Sequence, residues 1–191
     1  MLRPTYPLET QRLLLRPYTA DDLDGFHALA RREDVNRYLY SEPRTRDESR
    51  ELLTRVVLKT VIDDEHDDLL LAVLTKDSGA IIGNVSLERT SREHKQGEIG
   101  YVLHPDHHGH GFATEAATVM LRLGFEGLGF HRIVGRLDAR NVASARVLER
   151  LGMRREAHLR ENEFIKGEWC DELVYAMLAT EWQARTAAIE P

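Results

Sequence analysis

The sequence predicts one α/β domain: a mixed, mostly antiparallel, twisted central sheet with helices on both faces. The 191 residues are enough for a single domain with its own core and too few for two. Hydrophobic residues make up 42% and charged residues 30%, the balance of a folded globular chain and not of a disordered one. The order of elements then changes along the chain, from an antiparallel meander to a β-α-β-α pattern.

The run RLLLRPY, residues 12–18, reads as a strand ended by Pro17, and TADD after it supplies a helix N-cap. From Asp21 to Arg32 the apolar positions Leu23, Phe26, Leu29 and Ala30 have helical spacing. A second helix from Arg46 to Thr60 carries Leu52, Leu53, Val56 and Val57. LLLAVLT (69–75) and AIIGNVSL (80–87) read as strands joined by a tight turn at Asp77-Ser78-Gly79; GEIGYVL (97–103) is a third, after the polar loop TSREHKQ. A helix from Ala113 to Phe125, a strand over 132–138 and a helix from Ser144 to Leu151, closed by Gly152, follow. Two more strands are expected between Met153 and Leu178, with a hairpin turn at Lys166-Gly167. The expected domain is 1–180, and 181–191 reads as a frayed tail.

A net charge of −6 disfavours nucleic acid and anionic membranes as partners, which call for a basic face, and fits a cationic partner better. The acidic stretch DDEHDD, 63–68, reads as a solvated loop, with attraction of an amine as the sharper alternative. Pro4, Pro7 and Glu9 interrupt the start where a signal peptide needs continuous apolar residues, and no segment reaches membrane-span length, so a cytoplasmic location is expected. The single cysteine, Cys170, excludes an intramolecular disulfide and a Cys-based zinc cage; it is expected to be a buried small side chain.

The stretch HPDHHGHGFATEA, 104–116, concentrates the chemistry. His104, His107, His108 and His110 invite a metal reading, but near neighbours in a loop entering a helix do not surround a tetrahedral centre and no H-E-x-x-H is present; no metal is expected. A solvated polar turn explains poorly why two glycines stand one residue apart at the mouth of a helix. Glycines there leave backbone N–H groups uncovered, and the first N–H groups of a helix have no internal partner. With the macrodipole they form a cradle for a pyrophosphate. Gly109, Gly111, Phe112, Ala113 and Thr114 are therefore the candidate anion site. A Walker loop would need Gly-Lys-[Ser/Thr], which is missing. A Rossmann fingerprint would need glycine where Thr114 stands, although Asp138 imitates its ribose-binding acid.

Five segments, in order, resemble the GNAT superfamily of acyl-CoA-dependent N-acetyltransferases, and more narrowly its ribosomal-protein N-terminal (Rim-type) branch. They are TQRLLLRPYTADDLDGF, IIGNVSL, EIGYVLHPDHHGHGFATEA, DARNVASARVLERLGMRREAHLRE and GEWCDELVYAML. The resemblance implies acetyl-CoA as co-substrate, with the family loop [Gln/Arg]-x-x-Gly-x-[Gly/Ala] falling on His108, Gly109, His110, Gly111, Phe112 and Ala113. His108 departs from the pattern, which weakens a side-chain contact to phosphate but not a cradle of amides. It also implies a splayed strand whose Val102 and Leu103 backbone groups pair with pantetheine. Asn141 is placed by it near the pantetheine arm and Ser144 near the thioester sulfur, one of the two also being the N-cap of its helix.

By the same resemblance the base falls on Glu163. Glu161, two residues away on the expected strand and so on the same face, and Glu98 are the other candidates; Glu98 alternatively forms a cross-strand pair with a basic side chain. Ser144 is the candidate acid for the leaving thiolate and the Val102 or Leu103 amide the group that polarises the carbonyl. Tyr101 and Tyr175 read as core or wall aromatics. A protein N-terminus is the leading acceptor, because an α-amine with a pKa near 8 needs only a modest base, whereas a lysine-type amine sits near 10.4. A small polyamine or aminoglycoside is the alternative acceptor, and a non-catalytic CoA or nucleotide-binding module the alternative class. Homodimers are common among proteins it resembles.

Overall fold

The computed structural model describes residues 1–188. Eight strands form one sheet: β1 (Leu8–Glu9), β2 (Leu13–Pro17), β3 (Asp68–Thr75), β4 (Ile81–Ser91), β5 (Gln96–Leu103), β6 (Arg132–Asp138), β7 (Arg154–Ile165) and β8 (Glu168–Leu178). Their spatial order is β1-β2-β3-β4-β5-β6-β8-β7, and every neighbouring pair is antiparallel except β5 with β6. The mixed sheet expected from the sequence is the one found.

Helices cover both faces. α4 (Phe112–Arg122) and α5 (Val142–Arg150) pack on one, over a core that includes Leu13, Leu15, Leu71, Val85, Ile99 and Ile133. On the other, α1 (Leu23–Ala30) and α3 (Arg46–Val56) pack over Ala72 and Leu74, and the single turn α2 (Glu33–Asn36) follows α1. Alternate residues of β3 supply both cores, as period-two geometry requires: Leu69, Leu71 and Val73 on one side, Ala72 and Leu74 on the other.

Local chemistry sets the boundaries. Thr45 opens α3 with a capping box, its hydroxyl accepting from the Glu48 amide while Glu48 accepts from the Thr45 amide at 2.7 Å. The helix stops at Val56, short of the expected Thr60, because the amides of Leu58 and Lys59 turn back to Arg55 and Val56. The loop expected at TSREHKQ shrinks to a turn, β4 running on to Ser91 and β5 starting at Gln96. Lys166 and Gly167 both take positive φ, 52° and 84°, as a two-residue hairpin with the right-handed twist of its strands requires.

The expected frayed tail is instead largely helical: α6 spans Ala179–Ala187. Glu181 accepts from the Leu178 amide at 2.8 Å, and Trp182 is buried, stacked on Phe125 with ring centroids 5.8 Å apart. One aromatic anchor gives little periodicity for a sequence to reveal. Residues 189–191 lie outside the described residues. Among the described residues no helix is long and apolar enough to cross a membrane.

The feature that makes a site is a fork. β5 pairs with β6 only over Gln96–Arg132, Gly97–Ile133 and Glu98–Val134, while β6 stays paired with β8 as far as Asp138–Glu172. Beyond Glu98, β5 follows β4 alone, and the sheet opens between Ile99 and Leu103 on one side and β6 on the other.

Candidate active site

β5 runs through His104 into a short 3₁₀ turn, Pro105–His107, then into the glycine loop and α4. Gly109 and Gly111 have φ of 80° and 81°, the left-handed region that side chains resist, so the glycines are there for backbone shape. The first closed bond of the helix is from the Glu115 amide to the Gly111 carbonyl. Among the described residues the amides from Gly109 to Thr114 meet no backbone acceptor. The buried Thr114 hydroxyl is likewise without a partner. Unpaired donors in a row at a helix N-terminus form an anion cradle.

Two residues that sequence reasoning passed over hold this loop. Arg12, at the start of β2, donates from Nε to Glu115 Oε2 at 2.7 Å, and its Nη2 lies 2.6 Å from the same oxygen. Its Nη1 donates to the His110 carbonyl at 2.9 Å, and the guanidinium lies 4.6 Å from the Phe112 ring centroid. Burial raises the Glu115 carboxyl, but hydrogen bonds from the Thr10 hydroxyl and from Arg12 outweigh it and hold the group below its ordinary range. The histidines do not converge: His108 Nε2 meets the Leu103 carbonyl at 3.0 Å, so that nitrogen carries the proton and the ring is tied to the strand end. His110 offers its carbonyl to Arg12 and its ring to Phe112.

At the fork, backbone direction decides which groups are open. The His104 amide donates to the Ile82 carbonyl, which in this antiparallel register also turns the Val102 amide and carbonyl towards β4. The expectation that Val102 offers its backbone across the gap is therefore corrected: the groups facing β6 are those of Tyr101 and Leu103. Val102 instead lines the cavity.

Across the gap stands the start of α5. Asn141 is its N-cap, Oδ1 accepting from the Ser144 amide at 3.1 Å, so the capping role belongs to Asn141 and the Ser144 hydroxyl is left for other work. That hydroxyl lies 3.0 Å from the Tyr101 hydroxyl, which is also 2.9 Å from the Ser144 carbonyl. A carbonyl only accepts, so with Tyr101 donating to it the Ser144 hydroxyl donates to Tyr101. Burial pushes the Tyr101 phenol up to about 12, keeping it protonated at neutral pH. Tyr101 is thus more than a wall aromatic. Tyr175 is a core residue, donating to Glu149 at 3.0 Å.

The carboxylates lie on the opposite face of the sheet. Glu98 stands at the last paired position of the fork, with Arg136 at 3.6 Å, the cross-strand pair anticipated for it. Burial raises its carboxyl against the pull of Arg136, and Glu88 and Glu172 raise it further. Glu172 is buried, held by Arg136 at 3.2 Å and by Asn162 at 2.9 Å. Glu163 is directly opposite Cys170 in the register, and so shares the face of Cys170 and Glu172. Its neighbour is Tyr40, on the loop after α2. That phenol is pushed up to about 12 by partial withdrawal from water, by Glu163, and by the charges of Glu172 and Glu98.

Glu161 does not share the face of Glu163 by simple alternation. The register passes from Leu159–Glu172 to Glu163–Cys170, four steps in β7 against two in β8. Glu161 sits in that bulge, exposed, with φ 48° and its amide donating to Asp171 at 2.9 Å. Asp138, the imitation of a ribose acid, is occupied by Arg140 at 2.6 Å. Cys170 is buried as expected, with Arg140 Nη2 3.0 Å from its sulfur.

A cavity of ≈ 470 Å³ joins these parts. It is lined by the loop from His107 to Thr114, by Tyr101, Val102 and Leu103 at the fork, by Asn141 and Ser144, and by Tyr38 and Leu39. Unpaired amides and the orphaned Thr114 hydroxyl suit a pyrophosphate. The open strand edge suits an extended amide-bearing arm, and Ser144 stands where that arm crosses the sheet. The residues present fit acetyl-CoA.

Residues 12–154 match the acetyltransferase (GNAT) domain family Acetyltransf_3. The chain is 29% identical over 175 residues, 92% of this chain and 98% of the other, to an uncharacterized N-acetyltransferase, YnaD, of Bacillus subtilis. A GNAT acetyltransferase structure from Bacillus anthracis superposes with a TM-score of 0.81 at 28% identity, covering 91% of this chain and 98% of that one. A spermidine N-acetyltransferase from Vibrio cholerae, in complex with CoA and spermine, does so with a TM-score of 0.76 at 25% identity, covering 91% and 99%. With the fork, the cradle and this match together, the chain belongs to the GNAT acetyltransferases and is an acetyl-CoA-dependent N-acetyltransferase.

Proposed function

We propose that this acetyltransferase acts on a primary amine that carries further positive charge, a polyamine being the type. The observation that carries the reading is the charge on the acceptor side of the fork. Asp68, Glu88 and Glu98 are aligned across β3, β4 and β5, and Glu163 and Glu172 stand on the same face beyond the fork. Like charges directly opposite in a sheet are destabilising, and a cation seated there relieves them. Lys59 neutralises Asp68 at 2.7 Å, His66 Nδ1 lies 3.4 Å from Glu88, and Arg136 is shared by Glu98 and Glu172, which leaves Glu163 for the incoming ammonium. The likeness to a spermidine acetyltransferase supports the same acceptor class.

Acetyl-CoA supplies an activated acetyl carbonyl on a thioester sulfur. Glu163 takes the proton of the acceptor ammonium, with Glu98, its carboxyl raised by burial, as the alternate base. The Tyr101 and Leu103 amides, facing the gap, polarise the carbonyl oxygen. Ser144 gives its hydroxyl proton to the departing sulfur as the C–S bond breaks, and recovers a proton from the second one that the nitrogen sheds as the C–N bond forms; Tyr101, which accepts from that hydroxyl at rest, holds it in place. Glu161, out in the bulge, has no part.

A protein N-terminus is the second reading, favoured by one feature: the acceptor side is open, Tyr40 being 72% exposed, so a chain end has room. Free-thiol release with acetyl-CoA and matched panels of polyamines, aminoglycosides and N-terminal peptides separates the two. Turnover with polyamines and little with peptides is expected; the reverse order overturns the reading in favour of a protein acceptor. Glu163→Gln and Ser144→Ala should each lower kcat by roughly 10²-fold or more while acetyl-CoA affinity holds. Unchanged turnover in both would remove them from the chemistry.

A further inference from the structure

We infer that Arg146 and Arg150 form a subsite for the 3′-phosphate monoester of CoA, so that the enzyme selects CoA over its 3′-dephospho form. This rests on the placement of acetyl-CoA in the cavity. Ala143, Arg146, Val147 and Arg150 all line that cavity from α5, at the i, i+3, i+4, i+7 spacing of one helix stripe. The stripe begins beside Ser144, at the fork, and runs two turns away from it, about 10 Å at 1.5 Å per residue.

Three arginines near the site are held by carboxylates, Arg12 by Glu115, Arg32 by Asp34 at 2.7 Å and Arg140 by Asp138, and Arg37 lies on the Tyr38 ring, 5.2 Å from its centroid. Arg146 and Arg150 are exposed and, among the described residues, neither guanidinium meets a carboxylate. Two like charges one turn apart destabilise a helix. The helix dipole favours a cation in the last turn, which accounts for Arg150 but not for Arg146 in the middle. Among the described residues the only carboxylate on the cavity wall, Asp34, is held by Arg32.

The two anionic parts of CoA differ in what they need. A pyrophosphate, singly charged on each phosphorus, suits the row of amides at the start of α4. A phosphate monoester, close to doubly charged at neutral pH, suits paired guanidinium forks. The cradle and the stripe are separate walls of one cavity, so each anionic group has its own receptor.

Calorimetric titration of CoA and 3′-dephospho-CoA into the parent protein, Arg146→Ala, Arg150→Ala and the double variant tests this directly. The parent should bind CoA more tightly than dephospho-CoA by on the order of tenfold or more. The double variant should bind the two alike, with its affinity for dephospho-CoA within about threefold of the parent's. Alanine is the best helix former, so the melting temperature should hold or rise; a fall would mark the arginines as structural and overturn the proposal. Equal affinities in the parent overturn it, as does an equal loss for both ligands in the double variant, which would place the arginines on the pyrophosphate. A parent protein that binds neither ligand overturns the placement of CoA itself, an outcome distinct from the other three.

Discussion

Replacing Arg12 by alanine should loosen the cofactor loop from a position about a hundred residues away in sequence. The guanidinium makes a two-pronged pair with Glu115, with contacts at 2.7 and 2.6 Å, a bond to the His110 carbonyl at 2.9 Å and a face contact with Phe112. Its side chain is 44% exposed and that of Glu115 only 17%, so the pair falls between an exposed ion pair and a buried one. Roughly 1 kcal/mol for the discounted pair, about 1–2 for a charge-assisted bond to a carbonyl and about 0.5–1 for the ring contact give about 3 kcal/mol. In a domain of this size that corresponds to a melting temperature lower by roughly 6–12 °C. The Thr10 hydroxyl and the Arg12 backbone amide remain on Glu115, so the fold should survive. Differential scanning calorimetry and acetyl-CoA titration on the same samples check both halves. The cradle should also bind acetyl-CoA several-fold more weakly, because its amides must be ordered on binding. An Arg12→Ala protein with parental melting temperature and parental affinity would refute the claim that β2 holds the loop.

Gly111→Ala forces a side chain into the left-handed region, at roughly 1–2 kcal/mol; the new methyl meets Arg12 Nη2 only at 3.5 Å, so strain and not collision is expected, read as weaker acetyl-CoA binding in calorimetry. Tyr101→Phe leaves the Ser144 hydroxyl and carbonyl without their partner and should lower kcat about tenfold with KM for acetyl-CoA unchanged; a rise in KM alone would contradict the positioning role. Burial raises the Glu98 carboxyl, so the folded state holds that proton more tightly than the unfolded chain does. The resulting stability is full below the ordinary carboxylate range and lost as pH rises through the raised value. Glu98→Gln should therefore melt above the parent at pH 7, and the gap should close in acid. Trp182→Ala removes the buried anchor of α6 and its bond to Glu126 at 2.9 Å, and chemical denaturation should show a loss of about 3–5 kcal/mol; no loss would mean that the helix is dispensable.

What could be read in the sequence was whatever depends on local pattern. RLLLRPY and LLLAVLT declare their strands as short continuous apolar runs, the pattern of a strand covered on both faces, as β3 is with Leu69, Leu71 and Val73 on one side and Ala72 and Leu74 on the other. Gly109 and Gly111 declare a backbone cradle because glycine takes φ of 80° and 81° without the strain a side chain would add. Contacts between distant segments left no such trace. Nothing in RLLLRPY says that Arg12 will meet Glu115, and nothing in the loop after α2 says that Tyr40 will stand beside Glu163. Glu161 departs from strand parity for a different reason: a bulge inserts residues without changing composition, so a strand can look regular in sequence and skip a face in space.

The fork makes register the quantity on which the chemistry depends. β5 divides its labour by parity: Glu98 and Val102 point to the acceptor face, Ile99 and Tyr101 to the face of α4 and α5, and the Tyr101 and Leu103 backbone to the gap. A slip of one residue would put a carboxylate into the apolar core and turn the wrong amides outward. Two glycines work against such a slip. A Cβ on Gly83 would lie 2.2 Å from the Val102 carbonyl, and one on Gly97 would lie 2.4 Å from the Phe130 ring. Each position therefore accepts only the residue without a side chain, so a slip that places any other residue there produces a collision. The close approach of β4 at Gly83 holds the Val102 backbone to its side of the sheet, and that in turn leaves the Leu103 amide with nothing opposite it. The glycines that carry no chemistry thus determine which amides do.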